Sequence, residues 1–406
     1  MDLIVMKFGG TSLADVERIN RASRRAIQAK EAGHQVVMVV SAMGKSTDKL
    51  IAMAQEINAE PPRRELDMLM STGEQVSMSL MAMAIHAHGH EAISLTGGQI
   101  GLICDSVHTK ARIRKIEADR ARQELESGKI VIVAGFQGID EAGEIYTLGR
   151  GASDTTAVAL AAVLGAKYCE INTDVDGIYT TDPRIEPKAR KIKQISYDEM
   201  LELASLGAGV MHSRAIEFGK KYNVDIYVRS SFSDAPGTFI THEVEQMEEI
   251  VVSGVTVKKD LANFVLVGLP NQPGVAANTF AHVAEHNVAV DDIIQTVDKS
   301  GLASISFTVE HGDLAEGKLV VEEIRKEYNL KDVTCMDPVA KVSAVGVGMR
   351  SHTGVAQKMF NALGAAQVNI HAITTSEIKI SCIIDPSDSD KALRALHEAF
   401  GLEKEK

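Results

Sequence analysis

The sequence predicts an α/β protein: a mostly parallel sheet sandwiched by helices over residues 1–240, followed by two smaller α+β modules. Three observations carry this expectation. Short apolar runs alternate with long amphipathic stretches in the first part. Glycine, hydroxyl and charged residues cluster just after those runs. Beyond the first part the chain repeats itself, with "GVAANTFAHVAEHNVAVDDI" from Gly274 and "GVAQKMFNALGAAQVNIHAI" from Gly354 in register at an offset of 80.

Taken in order, "DLIVMKF" predicts a buried strand and Val16 to Ala32 a helix. "QVVMVVSAM" is a second strand, and Leu50 to Ile57 a second helix. The methionines from Met68 to Met83 recur at helical spacing, so they are assigned to the core. "HAHGH" (His86 to His90) closes that helix. Histidines suit the negative end of the helix dipole, with Gly89 at the C-cap, and this is preferred to a metal site. "KIVIVAGF", "YCEIN" and "VDIYVRSS" are further strands, and "TTAVALAAVLGA" is an Ala-rich helix between them. Runs buried on both faces and alternating with helices imply a parallel sheet.

The stretch Ser231–Glu249 reads as a hinge. Each repeat copy then follows an apolar strand ("FVLVGLP", "KVSAVGVG") and precedes another ("SISFTVEH", "IKISCIID"), giving strand–helix–strand–strand–helix. The first copy has a fourth strand in "KDVTCMD". The second ends at "GLEKEK" without one, and the orphan strand "EIVVSGVTVKK" supplies it. The expected division is therefore 1–240, a first module at 262–337, and a second split into 250–258 plus 340–406.

With 406 residues, 45% apolar and 24% charged, the chain has the composition of an ordinary globular protein of two or three domains. A net charge of −12 argues against a general nucleic-acid binder. No apolar run approaches the ~20 residues that span a bilayer, and no signal-peptide pattern opens the chain, so no membrane contact and a cytoplasmic location are expected. Cys104, Cys169, Cys335 and Cys382 are scattered, which predicts free thiols.

The chemistry gathers after the strands, where open α/β sheets bind ligands. "MKFGGTS" places Lys7 before Gly9 and Gly10, the reverse of the P-loop order. "SAMGKST" has Gly44-Lys45-Ser46 but Val39 where a P-loop needs its first glycine. A Ser/Thr-rich turn for a small substrate fits it better. In "TLGRGASDTTA", Arg150 stands between two glycines, and Ser153 and Asp154 open a helix. That combination suits an anion, although simple capping by Ser153 or Asp154 is the ordinary alternative. "STGEQVS" puts Glu74 in a glycine-containing turn, where its carboxylate can meet an ammonium or serve as a first-turn Glu. Together Arg150 and Glu74 offer the two charges that an α-amino acid requires.

The motifs "KFGGTS", "VVSAMGKSTD", "STGEQVS", "GRGASDTTA", "TDVDGIYTTDPR" and "MHSRA" occur in an order that resembles the aspartate kinases. The tandem repeat is similar to their pair of amino-acid-sensing ACT modules. The resemblance is strongest to the monofunctional members, since nothing follows the second module.

It implies the amino-acid-kinase fold and transfer of phosphate from ATP to the side-chain carboxylate of L-aspartate. That reaction is the first step toward lysine, threonine and methionine. Lys7, Asp154 and Asp174 would be catalytic. ATP with Mg²⁺ would bind at Lys7, Gly9, Gly10, Thr173, Asp174, Tyr179, Asp182 and Arg184, helped by Lys188, Arg190 and Lys191. Aspartate would bind at Ser41, Thr47, Glu74, Arg150, Ser153 and Asp154. No dedicated protein cage for the metal is expected.

Lysine, threonine or both would act at Asn271, Gly274, Val275, Ala276, Gln295, Asn369, Ile370 and Ser376. The modules would build a homodimer, or pair longer chains with shorter ones begun near Met247. Three residues depart from the family pattern: Ala152 for Gly, Ser213 for Pro and Asn271 for Asp. An acetylglutamate or uridylate kinase, or a catalytically dead sensor, are the competing readings. The tandem repeat and the Glu74/Arg150 pair weigh against the kinases, and intact Lys7, Arg150 and Asp174 weigh against the sensor.

Overall fold

The computed structural model describes residues 1–149, 151–207, 210–242, 251–330, 332–350 and 352–404. Two units divide the chain: Met1–Tyr179 with Lys191–Glu245, and Thr180–Arg190 with Gln246–Lys406. The segment expected as a hinge is described only to His242, and Met247 lies outside the described residues.

The first unit contains strands β1 (Leu3–Phe8), β2 (Gln35–Val40), β3 (Ala92–Leu95), β4 (Leu102–Cys104), β5 (Ile113–Ile116) and β6 (Ile130–Ala134). The rest are β7 (Gln137–Ile139), β8 (Ile145–Thr147), β9 (Tyr168–Thr173), β10 (Gln194–Ser196), β11 (Ile226–Ser230) and β12 (Thr238–Thr241). Its helices are α1 (Val16–Glu31), α2 (Ser46–Ile57), α3 (Arg63–Ala87), α4 (Asp119–Glu126), α5 (Ala152–Leu164), α6 (Tyr197–Ser205) and α7 (Ser213–Tyr222).

Eight strands form the main sheet in the order β10-β12-β11-β9-β1-β2-β6-β3, parallel except where β11 meets β12. Ile4, Met6 and Phe8 face one layer, where Ile19, Ala22 and Ala26 of α1 pack with Met78, Met81 and Ile85 of α3. Asp15 caps α1, its side chain accepting from Arg18 N at 2.9 Å. The methionine run of α3 is not all core. Met70, Met78 and Met81 are buried, whereas Met68 and Met83 are exposed, because only part of the helix circumference faces the sheet.

Residues 102–147 also build a second sheet, β5-β4-β7-β8, that the sequence pattern does not announce. Strands of three or four residues are too short to show a period. Parallel register aligns Lys7 with Val39 on one side and Ile171 on the other. The residues after β1, β2, β6 and β9 therefore emerge along one sheet edge.

The second unit holds β13 (Gly254–Pro270), α8 (Val275–Glu285), β14 (Val290–Val297), β15 (Leu302–Glu310), α9 (Leu314–Tyr328) and β16 (Asp332–Val345). It continues with α10 (Val355–Ala365), β17 (Ala372–Thr375), β18 (Lys379–Ile384) and α11 (Ser389–Ala399). Its antiparallel sheet runs β14-β15-β13-β16-β18-β17.

Segments expected as four separate strands are two long ones. "GVTVKK" and "FVLVGLP" are both β13, while "DVTCMD" and "KVSAV" are both β16. Gly254–Lys258 pairs with Lys341–Val345, and Asn263–Val267 pairs with Asp332–Met336. Register shifts between Lys258 and Asn263 bend the pair without ending it. Separate cores form at the two ends of this pair, one around Phe264, Phe307 and Ile324, the other around Val342, Met359 and Leu396. The segment Thr180–Arg190 is bound to the second core: Ile185 packs on it, and Thr180 Oγ1 lies 3.0 Å from His397 Nε2 of α11.

Candidate active site

A cleft of about 210 Å³ opens at the C-terminal edge of the main sheet. It is lined by Lys7 near the end of β1 and Gly10 just after it, by Ser41, Ala42, Gly44 and Thr47 around the β2–α2 turn, and by Glu74 of α3. Phe136 and the α5 N-terminus, Gly151 to Asp154, complete it. Lys7, Ser41, Thr47, Glu74, Ser153 and Asp154 were all named from sequence, and the structure brings them together here.

Local chemistry explains each placement. Lys7 Nζ lies 2.6 Å from Asp154 Oδ1, with both side chains nearly buried. Asp154 occupies the first turn of α5 and makes no side-chain cap, so its carboxylate serves the lysine and not the helix end. Ser153 likewise leaves the cap unmade.

Glu74 is not in a turn, contrary to the sequence expectation. It sits inside the 25-residue helix α3. The neighbouring glycine has a packing cause: a Cβ on Gly73 would stand 2.8 Å from Ala42 Cβ. Helix and β2–α2 loop thus touch at Gly73. One turn position on, Glu74 Oε1 accepts from Ala42 N at 3.1 Å, while the buried Oε2 has no hydrogen-bond partner. Burial pushes the Glu74 carboxyl up to about 7, only partly opposed by the Ala42 amide. Such a group is a ready receptor for a cation.

Arg150, the expected partner for an α-carboxylate, lies outside the described residues. Its neighbour Gly151 has φ +73°, and a Cβ there would fall 2.5 Å from the His212 side chain. Both facts require glycine. Ala152 is the buried first residue of α5, and Ser213 takes the first position of α7, where proline is also at home.

Among the residues expected to hold ATP, Gly9 N donates to Asn172 O at 3.3 Å, within the strand frame. Gly10 O accepts from Gly44 N at 2.9 Å. Thr173 ends the neighbouring β9 and Asp174 follows it, and neither is among the residues lining the cleft; Asp174 is exposed and accepts from Thr173 Oγ1 at 3.2 Å. Tyr179 OH donates to Asp176, which pairs with Lys191 at 3.2 Å. Asp182 and Arg184 form a mutual ion pair at 2.7 Å and belong to the second unit, as do Lys188 and Arg190.

Sequence reasoning missed Phe136 and Ala42. Phe136 has φ +67°, a strained setting for an aromatic residue, and its place in "GFQG" was the available signal.

The expected effector residues are divided between the two copies. Gly274 is the N-cap of α8, followed by Val275 and Ala276, with Asn271 just after β13 and Gln295 on the edge strand β14. In the second copy a cleft of about 520 Å³ joins Gly354 to Ala356 with Thr375, Ser376 and Glu377. Asn369 and Ile370 precede β17 and are not among its lining. His86, from the histidine cluster, lies 3.0 Å from the Ala92 carbonyl, and His90 pairs with Glu31.

An open, mostly parallel sheet with a ligand-sized cleft at its strand ends and two repeated α+β modules define a class that comparisons with known proteins specify. Residues 2–230 match the amino acid kinase family, and residues 264–327 and 342–400 each match the ACT domain. An aspartokinase of Bacillus sp. (strain MGA3) is 49% identical over 402 residues, covering 99% of this chain and 98% of its own. The crystal structure of aspartate kinase from Synechocystis shares 45% identity, with a TM-score of 0.56, over 98% of this chain and 69% of that one. E. coli aspartokinase III, solved with aspartate and ADP, shares the fold at 24% identity and a TM-score of 0.81, over 98% and 99% of the chains. The chain belongs to the amino acid kinase family and, within it, to the aspartokinases.

Proposed function

We infer that this aspartate kinase uses the Lys7–Glu74 cleft to bring the side-chain carboxylate of L-aspartate to the γ-phosphate of ATP, forming 4-phospho-L-aspartate. The observation that carries this reading is the buried, unpartnered Glu74 Oε2 beside the Lys7–Asp154 pair. Glu74 takes the substrate ammonium, and Arg150 and the α5 N-terminus take its α-carboxylate. Ser41 and Thr47 add hydroxyl donors. The side-chain carboxylate, with a pKa of ~4, is ionised at neutral pH and needs no general base. Catalysis then rests on positioning and on neutralising charge at the transferred group. Lys7 supplies that charge, and Asp154, 2.6 Å away, holds its ammonium in place.

ATP lies along the same edge toward Thr173, Asp174 and Tyr179. Mg²⁺ carried on a nucleotide needs only one or two protein oxygens, and exposed Asp174 offers them. Bound there, the ion would neutralise polyphosphate charge. Feedback by lysine, threonine or both acts through the ACT modules, in a homodimer or in a pairing of longer and shorter chains. A split second module is supported by the pairing of Gly254–Lys258 with Lys341–Val345 and by the separate cores. No helix among the described residues is long and apolar enough to cross a membrane. The substrates place the reaction in the cytoplasm.

Hydroxylamine trapping tests the product. Protein, ATP, Mg²⁺ and L-aspartate should yield a hydroxamate, because an acyl phosphate is captured and a phosphate ester is not. ADP release without hydroxamate would contradict a carboxylate acceptor.

A further inference from the structure

The motif "MHSRA" has no part in the cleft lining, yet its side chains reach Leu148 and Gly151, and Gly151 lines the cleft. We propose that Arg214 and His212, together with Asp67, are positioning residues for the amino-acid side of the site, fixing the backbone on both sides of position 150. The proposal rests on the reading of that cleft as the aspartate site.

Arg214, on the first turn of α7, spreads its guanidinium across two segments. Its Nη1 donates to Leu148 O at 3.0 Å and to Ala111 O at 3.3 Å, and its Nη2 donates to Ala111 O at 3.3 Å. Ala111 N in turn donates to Thr147 O at 3.0 Å. One planar fork thus locks the exit of β8 to the loop before β5. A lysine, with a single point of charge, cannot span both carbonyls in this way.

His212 caps α7, its Nδ1 accepting from Arg214 N at 3.4 Å, and its side chain lies directly against Gly151. Asp67 reaches the same segment from α3. It is fully buried and accepts from Thr147 Oγ1 at 2.5 Å, from Thr109 N at 3.1 Å and from His108 Nδ1 at 2.6 Å. His108 is itself held by stacking on Tyr146, with centroids 4.4 Å apart. Thr109 has φ +67°, a left-handed setting that a threonine keeps only where its surroundings hold it.

Residues 147, 148 and 151 are therefore pinned individually, by side chains from two helices, and Gly149 and Gly151, both at positive φ, bring no side chain of their own to hold the backbone. A binding site needs its contacting groups held to within about 0.5 Å by a supporting layer. These three side chains have the geometry of that layer.

The test is a kinetic split on the full-length chain. Arg214→Lys should raise the aspartate KM about 10- to 100-fold, the usual scale of a positioning loss. The ATP KM should stay within about twofold, and the aspartate-induced rise in melting temperature should shrink at a fixed aspartate concentration. His212→Ala, which leaves the guanidinium fork intact, should show the same split to a smaller degree and decides the matter if Arg214→Lys does not fold. An unchanged aspartate KM in both variants overturns the proposal. So does an equal rise in both KM values with a lowered ligand-free melting temperature, since that marks a merely structural role. Glu74→Gln, run alongside, separates the two levels: if it too leaves the aspartate KM unchanged, the fault lies in the assignment of the cleft.

Discussion

At the scale of single residues, Lys7 and Glu74 make opposite demands on the same cleft. In the proposed mechanism Lys7→Ala removes a preorganised charge from the transferring group, so kcat should fall about 10²–10³-fold with a smaller effect on the aspartate KM. Steady-state kinetics with each substrate varied in turn will show it. Glu74 gives a pH signature. Its carboxyl stands at about 7 against an ordinary 4.5, because burial disfavours the charge. The ammonium contact proposed for Glu74 needs the ionised form, so the aspartate KM should rise as pH falls below about 7, and Glu74→Gln should raise it and flatten that dependence. Stability runs the other way. A carboxyl raised on folding contributes stability that is full below pH 4.5 and is lost as pH rises through 7. Glu74→Gln should therefore melt higher than the parent at pH 8 and nearly level with it at pH 5. The ceiling on that gain is roughly 3 kcal/mol, from the size of the shift. Thermal melts at the two pH values measure it.

At the scale of elements, the strand-end rule made most of the cleft legible in the sequence. Lys7, Ser41 and Thr47 follow buried apolar runs, and Ser153 and Asp154 open an Ala-rich helix, so the residues that converge were identifiable before the elements were assembled. Glu74 was recognised for its charge but misplaced in a turn. Gly73 looks like a turn residue in one dimension and is a helix–loop contact in three. The small β5-β4-β7-β8 sheet was illegible for a different reason, since its strands are shorter than one readable period. β13 and β16 were cut in two because polar residues at the bulge resemble a loop. Asp182 and Arg184 read as continuous with Thr173 to Tyr179, and no local signal reveals that Thr180–Arg190 packs with the second unit. The Gly73 contact gives a direct prediction. Gly73→Ala forces a methyl to 2.8 Å from Ala42 Cβ, and overpacking of this kind should cost about 1–3 kcal/mol in a denaturant melt. Its aspartate KM should rise as well, because the same shift moves the Ala42 amide away from Glu74.

At the scale of the whole molecule, two repeats offset by 80 residues share one six-stranded sheet, so a ligand held by either copy acts on a common framework. Feedback of the ordinary size, about 1–3 kcal/mol, needs only a modest preference of effector for one state. The resemblance implies that the loop at Asn271 receives the effector ammonium on an Asp, so Asn271→Asp should tighten inhibition by lysine or threonine or leave it unchanged. Inhibition curves for each amino acid, alone and together, compare the two forms. The regulatory design has meaning only if the first unit phosphorylates aspartate, and one assay addresses that directly. ADP release is followed with ATP, Mg²⁺ and, separately, L-aspartate, N-acetyl-L-glutamate and UMP, on the parent and on Lys7→Ala. Turnover with L-aspartate alone, lost in Lys7→Ala, is the predicted result. Turnover with either other acceptor, or none with any of the three, would contradict it.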